Sequence, residues 1–183
     1  MTITDAGWAT FIAPFEVEIP EGVISIGNNA FQDCTSLDSV SIPNSVISIG
    51  AYAFNGCTSL SSVTLCEGVT SIGRRAFYGC EKLASVTLPD SVVSVGDDAY
   101  HGCIRLESFA GGAGLAELGV QTFMDCVSLK TVTLPATMTH LPNACFAGCV
   151  SLTDLTAEGV QTRGEQVFRH CDGLKGTLWV PAN

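Results

Sequence analysis

Six cysteines recur every 23 residues without a slip, at Cys34, Cys57, Cys80, Cys103, Cys126 and Cys149. Leu37, Leu60, Leu83, Leu106, Leu129 and Leu152 follow them by three residues, and Phe31, Phe54 and Phe77 precede the first three by the same distance. A fixed period of this size constrains the fold more than any local propensity. A unit of roughly 20–50 residues cannot bury its own apolar face, so it stacks on a copy of itself. The chain therefore reads as a solenoid.

The best-formed unit is GVTSIGRRAFYGCEKLASVTLPD, residues 68–90. Leu83 to Leu88 alternates like a strand, with Val86 and Leu88 inward and Ser85 and Thr87 outward. Pro89 ends it, because proline has no ladder N–H. Val69 and Ile72 point inward, and Gly73 supplies a turn, with positive φ expected there. Ala76, Phe77 and Cys80 have the spacing of one short helical turn on the back of the coil.

The same frame centres strands on Val17, Val40, Val63, Val86, Phe109, Val132, Leu155 and Leu178. It divides the chain into an N-terminal cap segment, 1–16, and a solenoid of about seven 23-residue repeats, 17–183. The strand at Phe109 is expected to be weakest, since Gly111 and Gly112 replace an apolar residue and a proline. Pro142 stands where the preceding repeat has Gly119, and Cys145 stands in an alanine place.

These units resemble the BspA-type leucine-rich repeats, with the pattern I-G-x-x-A-F-x-x-C-x-S-L-x-x-V-x-L-P. The matching stretches are IGNNAFQDCTSLDSVSIP (26–43), IGAYAFNGCTSLSSVTL (49–65) and IGRRAFYGCEKLASVTLP (72–89). The resemblance implies an α/β solenoid: a right-handed leucine-rich repeat coil with short parallel β-strands on one face. Turns and short 3₁₀ or helical turns form the other face. It also implies binding to other proteins.

Composition narrows the functional classes. With 18 acidic and 8 basic residues, the net charge is −10, which opposes binding to nucleic acid or to an anionic membrane. No apolar run reaches the roughly 18 residues of a membrane-spanning helix. The N-terminus lacks the basic start and apolar run of a secretory signal. The expected location is thus intracellular, or the cell surface or medium if a leader was removed.

Catalytic and metal readings fare poorly. His101, His140 and His170 fall in different repeats and columns, and no phosphate-loop pattern appears in GGAGLAELG, 111–119. Cys145, Cys149, His170 and Cys171 match no zinc spacing. The cysteine ladder reads as small apolar filling of the coil interior. No enzyme activity, metal or other cofactor is expected.

The candidate binding residues lie on the outward side of successive strands: Asp38, Ser62, Thr64 and Ser85, then Thr87, Glu107, Lys130 and Thr133. Arg74 and Arg75 precede Asp97 and Asp98 by one period, so stacking should pair them in that order. Trp8 and Phe11 read as part of an N-terminal cap. The C-terminal end, with Leu174, Leu178 and Trp179, is the expected place of association with another chain. The whole is read as a scaffold or structural subunit that binds protein; the alternative is an extracellular adhesin domain.

Overall fold

The computed structural model describes residues 1–4 and 13–175. They form a parallel β-solenoid whose coils have three sides, each cross-linked to the next coil by backbone hydrogen bonds.

The first side carries the longer strands: β2 (Phe15–Glu18), β4 (Leu37–Ile42), β6 (Ser62–Leu65), β8 (Ser85–Thr87), β10 (Ser108–Ala110), β12 (Thr131–Thr133) and β14 (Asp154–Thr156). They pair in parallel, Val17 with Val40, Val40 with Val63, Val86 with Phe109, Phe109 with Val132, and Val132 with Leu155. The strand centres read from the repeat are thus in register from Val17 to Val63 and again from Val86 to Leu155; Leu178 lies outside the described residues. Alternation does the rest: in β8, Val86 is buried while Ser85 and Thr87 face out.

The second side was not anticipated. It is a ladder of two-residue strands: β1 (Thr2–Ile3), β3 (Ser25–Ile26), β5 (Ser48–Ile49), β7 (Ser71–Ile72), β9 (Ser94–Val95), β11 (Glu117–Leu118), β13 (His140–Leu141) and β15 (Thr162–Arg163). Gly73 follows β7 because a Cβ there would stand 2.6 Å from the backbone nitrogen of Ala51. Close approach to the neighbouring coil, and not the positive φ expected for it, requires that glycine.

The third side corrects a second expectation. No helix occurs among the described residues; Ala76 to Cys80 forms consecutive tight turns. The cause is backbone handedness. Arg75 has φ 53° and Gly79 has φ 68°, which breaks any right-handed helical run. The N–H groups of Ala76, Tyr78 and Cys80 close turns within the coil, on Gly73, Arg75 and Phe77. Those of Arg75, Phe77 and Gly79 reach the next coil, at Asp97, Ala99 and His101.

The interior holds three stacked columns. Rings of Phe31, Phe54, Phe77, Tyr100, Phe123, Phe146 and Phe168 lie within 2–3° of parallel, with centroids 5.0–5.9 Å apart. The cysteine and leucine ladders stand beside them and are buried from Cys34 and Leu37 to Cys149 and Leu152. Each ring of the aromatic column stacks on its counterpart one coil away, and the stack is kept even where the step shortens from 23 to 22 residues, between Phe146 and Phe168.

Two sides are interrupted, at different coils. The short-strand ladder breaks between β11 and β13. There Pro142 occupies the glycine place; Gly119 N–H bonds Val95 O at 2.8 Å, and proline has no N–H to repeat that rung. The long-strand ladder breaks between β6 and β8. The strand at Phe109, expected to be weak, pairs on both sides, and Gly111 N–H donates to Thr133 O at 2.9 Å.

Candidate protein-binding surface

The long-strand side presents two columns of small hydroxyls held by the strand register. Ser39 pairs with Ser62, and Ser85, Ser108 and Thr131 continue that column beyond the break. Ser41 pairs with Thr64; the second column resumes at Thr87 and passes through Ala110 to Thr133 and Thr156. Ser62, Thr64, Ser85, Thr87 and Thr133 are exposed. Backbone pairing fixes their positions within each of the two runs, on either side of the break between β6 and β8.

Charged candidates flank these columns. Lys130 Nζ lies 2.9 Å from Glu107 Oε2, and both side chains are more than half exposed. Such a pair contributes little to stability and remains open to exchange with a partner's charges. Asp38 is partly buried and accepts a hydrogen bond from Ser61 Oγ at 3.1 Å, across one coil. The register thus brings Glu107 and Lys130 together and keeps Asp38 apart from them. Of the three end residues, Leu174 is partly buried against the core. Leu178 and Trp179, like Trp8 and Phe11, lie outside the described residues.

At the break between β6 and β8 the face opens into a recess of about 460 Å³. Val63 and Leu65 are partly exposed there, whereas their counterparts Val86 and Leu88 are 6 % and 3 % exposed. Glu67 spans one end of it, its carboxylate accepting from the N–H of Asp90 at 3.4 Å and of Ser91 at 3.2 Å.

A polar cluster on the turn side was anticipated only in part, His101 and Asp125 having been missed. Arg75 Nε stands 3.1 Å from Asp98 Oδ2, as the period implied. The other expected pair does not form: Asp97 Oδ1 instead accepts from Val120 N–H at 2.9 Å, one coil onward. His101 joins through Nδ1, 3.1 Å from Asp98 Oδ1, with its Nε2 3.6 Å from Asp125 Oδ2. Arg75 also sits 5.2 Å from the Tyr78 ring centroid. The hydrogen bond to Asp98 pushes the Arg75 guanidinium further above its ordinary range. The signal was present in the spacing Asp98 to His101, but a three-residue step reads as contact only once the tight turn is known. The cluster straps successive coils; its contacts include no hydroxyl or thiol nucleophile set against His101.

The thiol ladder is chemically quiet. Cys80, Cys103 and Cys126 donate to the carbonyls of Phe54, Phe77 and Tyr100 at 3.1–3.3 Å. Burial pushes the Cys103 thiol up to about 12 and Cys171 up to about 11, and raises Cys80, Cys126 and Cys145 well above the ordinary value. Since the thiolate is the nucleophile and the metal ligand, raised values hold these sulfurs inert. Cys149 donates to Phe123 O at 3.1 Å and Cys171 to Phe146 O at 2.9 Å, while His170 is exposed beside Arg169. No trio of His, Cys, Asp or Glu among the described residues is arranged to hold a metal ion.

Comparisons with known proteins agree with this architecture. The family model for the BspA type leucine rich repeat region matches residues 13–115 and 70–180, in six copies. The chain is similar to a solved leucine rich repeat protein of T. pallidum, at 33 % identity and a TM-score of 0.84, covering 88 % of this chain and 78 % of that one. A leucine-rich repeat protein from Eubacterium ventriosum is similar in fold, at 21 % identity and a TM-score of 0.76. That match covers 90 % of this chain and 54 % of the other, so the present chain spans about half its length. No curated protein matches.

Proposed function

Because the chain belongs to the BspA-type leucine-rich repeat family, we propose that it is a non-enzymatic scaffold that binds another protein through its long-strand side. The observation that carries this reading is the pair of exposed hydroxyl columns, set in fixed register beside the exposed Glu107–Lys130 pair. Short hydroxyls leave the sheet open to approach, and a solenoid offers an extended surface for it. The end that includes Leu174 is proposed as a secondary contact. We place the protein inside the cell, where buried thiols stay reduced; fractionation of the source cells tests that placement.

The binding test uses a partner captured on the immobilised chain and then purified. Its affinity is measured for the wild type and for Thr133→Trp combined with Lys130→Glu. A loss of about tenfold or more with an unchanged unfolding midpoint supports the strand side. Unchanged affinity moves the site to the turns or the ends.

A further inference from the structure

The break between β6 and β8 is more than a missing rung. Elsewhere on this side, apart from a register shift between Phe15 and Glu16, the ladder repeats: Leu88 N–H donates to Ala110 O at 2.8 Å, and Glu107 N–H donates to Ala84 O at 2.8 Å. Moved back one period, these bonds would join Leu65 N–H to Thr87 O and Ala84 N–H to Ser61 O. The second of these bonds does not form, and β6 and β8 are not paired with each other. Two strand edges, each the last of its sheet, therefore flank the recess. An unpaired edge is a template for another strand.

The remaining two sides run through these coils without interruption. β7 pairs with β9, and Phe54 N–H bonds Ala76 O at 2.7 Å. They hold these two coils together on the sides away from the recess. A strand seated between β6 and β8 would set them about 9.6 Å apart, twice the ordinary spacing, and would complete both ladders at once.

We propose that this recess takes an extended segment of a partner protein as an added parallel strand. The proposal rests on the protein-binding reading above and narrows it to one site and one mode, in which main-chain bonds give affinity and alternate side chains give selectivity. The lining defines the segment. Val63 and Leu65 offer a partly exposed apolar floor, so alternate residues of the segment are aliphatic. Thr64, Ser85 and Thr87 rim the outer side, so the residues between are small and polar. Glu67 and Asp90 stand beyond the C-terminal ends of the strands, and no cation lines the recess. A parallel segment would therefore carry lysine or arginine at its C-terminal end.

The test uses the full chain and a blocked peptide of alternating threonine and valine that ends in two lysines. Amide hydrogen exchange is followed at Leu65 and Ala84. In the protein alone these amides should exchange quickly beside the protected amides of Leu88 and Glu107; slow exchange at both would mean a closed ladder and would end the proposal. With the peptide added, both should become protected. The same peptide with alternate backbone amides N-methylated should bind about tenfold or more weakly, because it keeps the side chains and loses the ladder. Replacing the two lysines by glutamates should weaken binding in low salt. Equal binding of the N-methylated peptide, or protection confined to other coils, would overturn the strand mode. A captured partner that is lost with Thr133→Trp but binds without protecting Leu65 and Ala84 would retain the scaffold reading and remove this site.

Discussion

Tyr100 lies flat on Phe77, with ring centroids 5.3 Å apart and planes within 2°. It is the one tyrosine in a column otherwise made of phenylalanines, and its hydroxyl is buried without a hydrogen-bond partner. Burial also pushes its ionisation well above the ordinary value. A buried unsatisfied hydroxyl costs about 1–3 kcal/mol, whereas the ring makes the same stack without it. Tyr100→Phe should therefore stabilise the protein by about 1 kcal/mol, read as a higher urea midpoint with an unchanged slope. A lower midpoint would mean that the hydroxyl has a partner, such as an enclosed water.

The thiol ladder should appear in the alkaline limb of stability. Cys103 is raised from 9.0 to about 12, and Cys80 and Cys126 are raised as well. The folded state favours the protonated thiols, so their contribution is complete below the unfolded value and is lost as pH rises through the window from 9 to about 12. Stability should be level in this respect to pH 8 and fall beyond 9. Removing one such thiol with Cys103→Ala should reduce that fall by about 1.4 kcal/mol per pH unit. An unchanged slope would show that the thiol already ionises in the fold.

The strap on the turn side predicts a measurable coupling. Arg75 is 36 % exposed and Asp98 6 %, so the pair is partly screened. A double-mutant cycle with Arg75→Ala and Asp98→Ala should give about 1 kcal/mol, weakening but not vanishing in high salt. Zero coupling at low salt would mean that Asp98 is held by His101 alone.

Ala144 sits at φ 52° in the same column as Arg75. A left-handed conformation costs an L-residue roughly 1–2 kcal/mol, and glycine avoids that cost while losing some entropy from the unfolded chain. Ala144→Gly should thus raise stability by about 0.5–1 kcal/mol despite removing a methyl group. Calorimetry on the purified variant checks the sign; a loss above about 0.5 kcal/mol would show that the methyl packs.

Leu83 is fully buried between coils. Leu83→Ala should cost about 2–5 kcal/mol, since stacked repeats on both sides keep the cavity from closing. A loss below about 0.5 kcal/mol would place Leu83 outside the core.

The long-strand register was legible because its residues carry two signals at once, a period of 23 and an alternation of two, as in Ser85-Val86-Thr87. The short-strand side carries only one. A pair such as Ser71-Ile72 is too brief to alternate, so only its spacing was visible. The turn side was misread as helical because left-handed backbone falls on Tyr52, Arg75 and Gln121, residues with no preference for it. Stacking imposes the conformation there, and the helical spacing of Ala76, Phe77 and Cys80 is incidental. Among the site residues, the hydroxyl columns and the Glu107–Lys130 pair follow from register alone. His101 does not, because its partners depend on the turn geometry. The recess is the least legible feature: Cys66 in a proline place is the nearest irregularity, and no physical account links it to the open edges.

Pro142 makes a seam in the molecule. The coils on either side of it are joined on two sides rather than three, through β10–β12 and through bonds such as Gln121 N–H to Asn143 O at 3.0 Å. Stability in a repeat array is a sum over neighbouring contacts, so among the described coils on the C-terminal side the seam is where that sum is smallest. Pulled from its C-terminal end in an optical trap, the protein should rupture there first, in a short step that precedes the main extension. Pro142→Gly should restore the rung and merge the two steps into one.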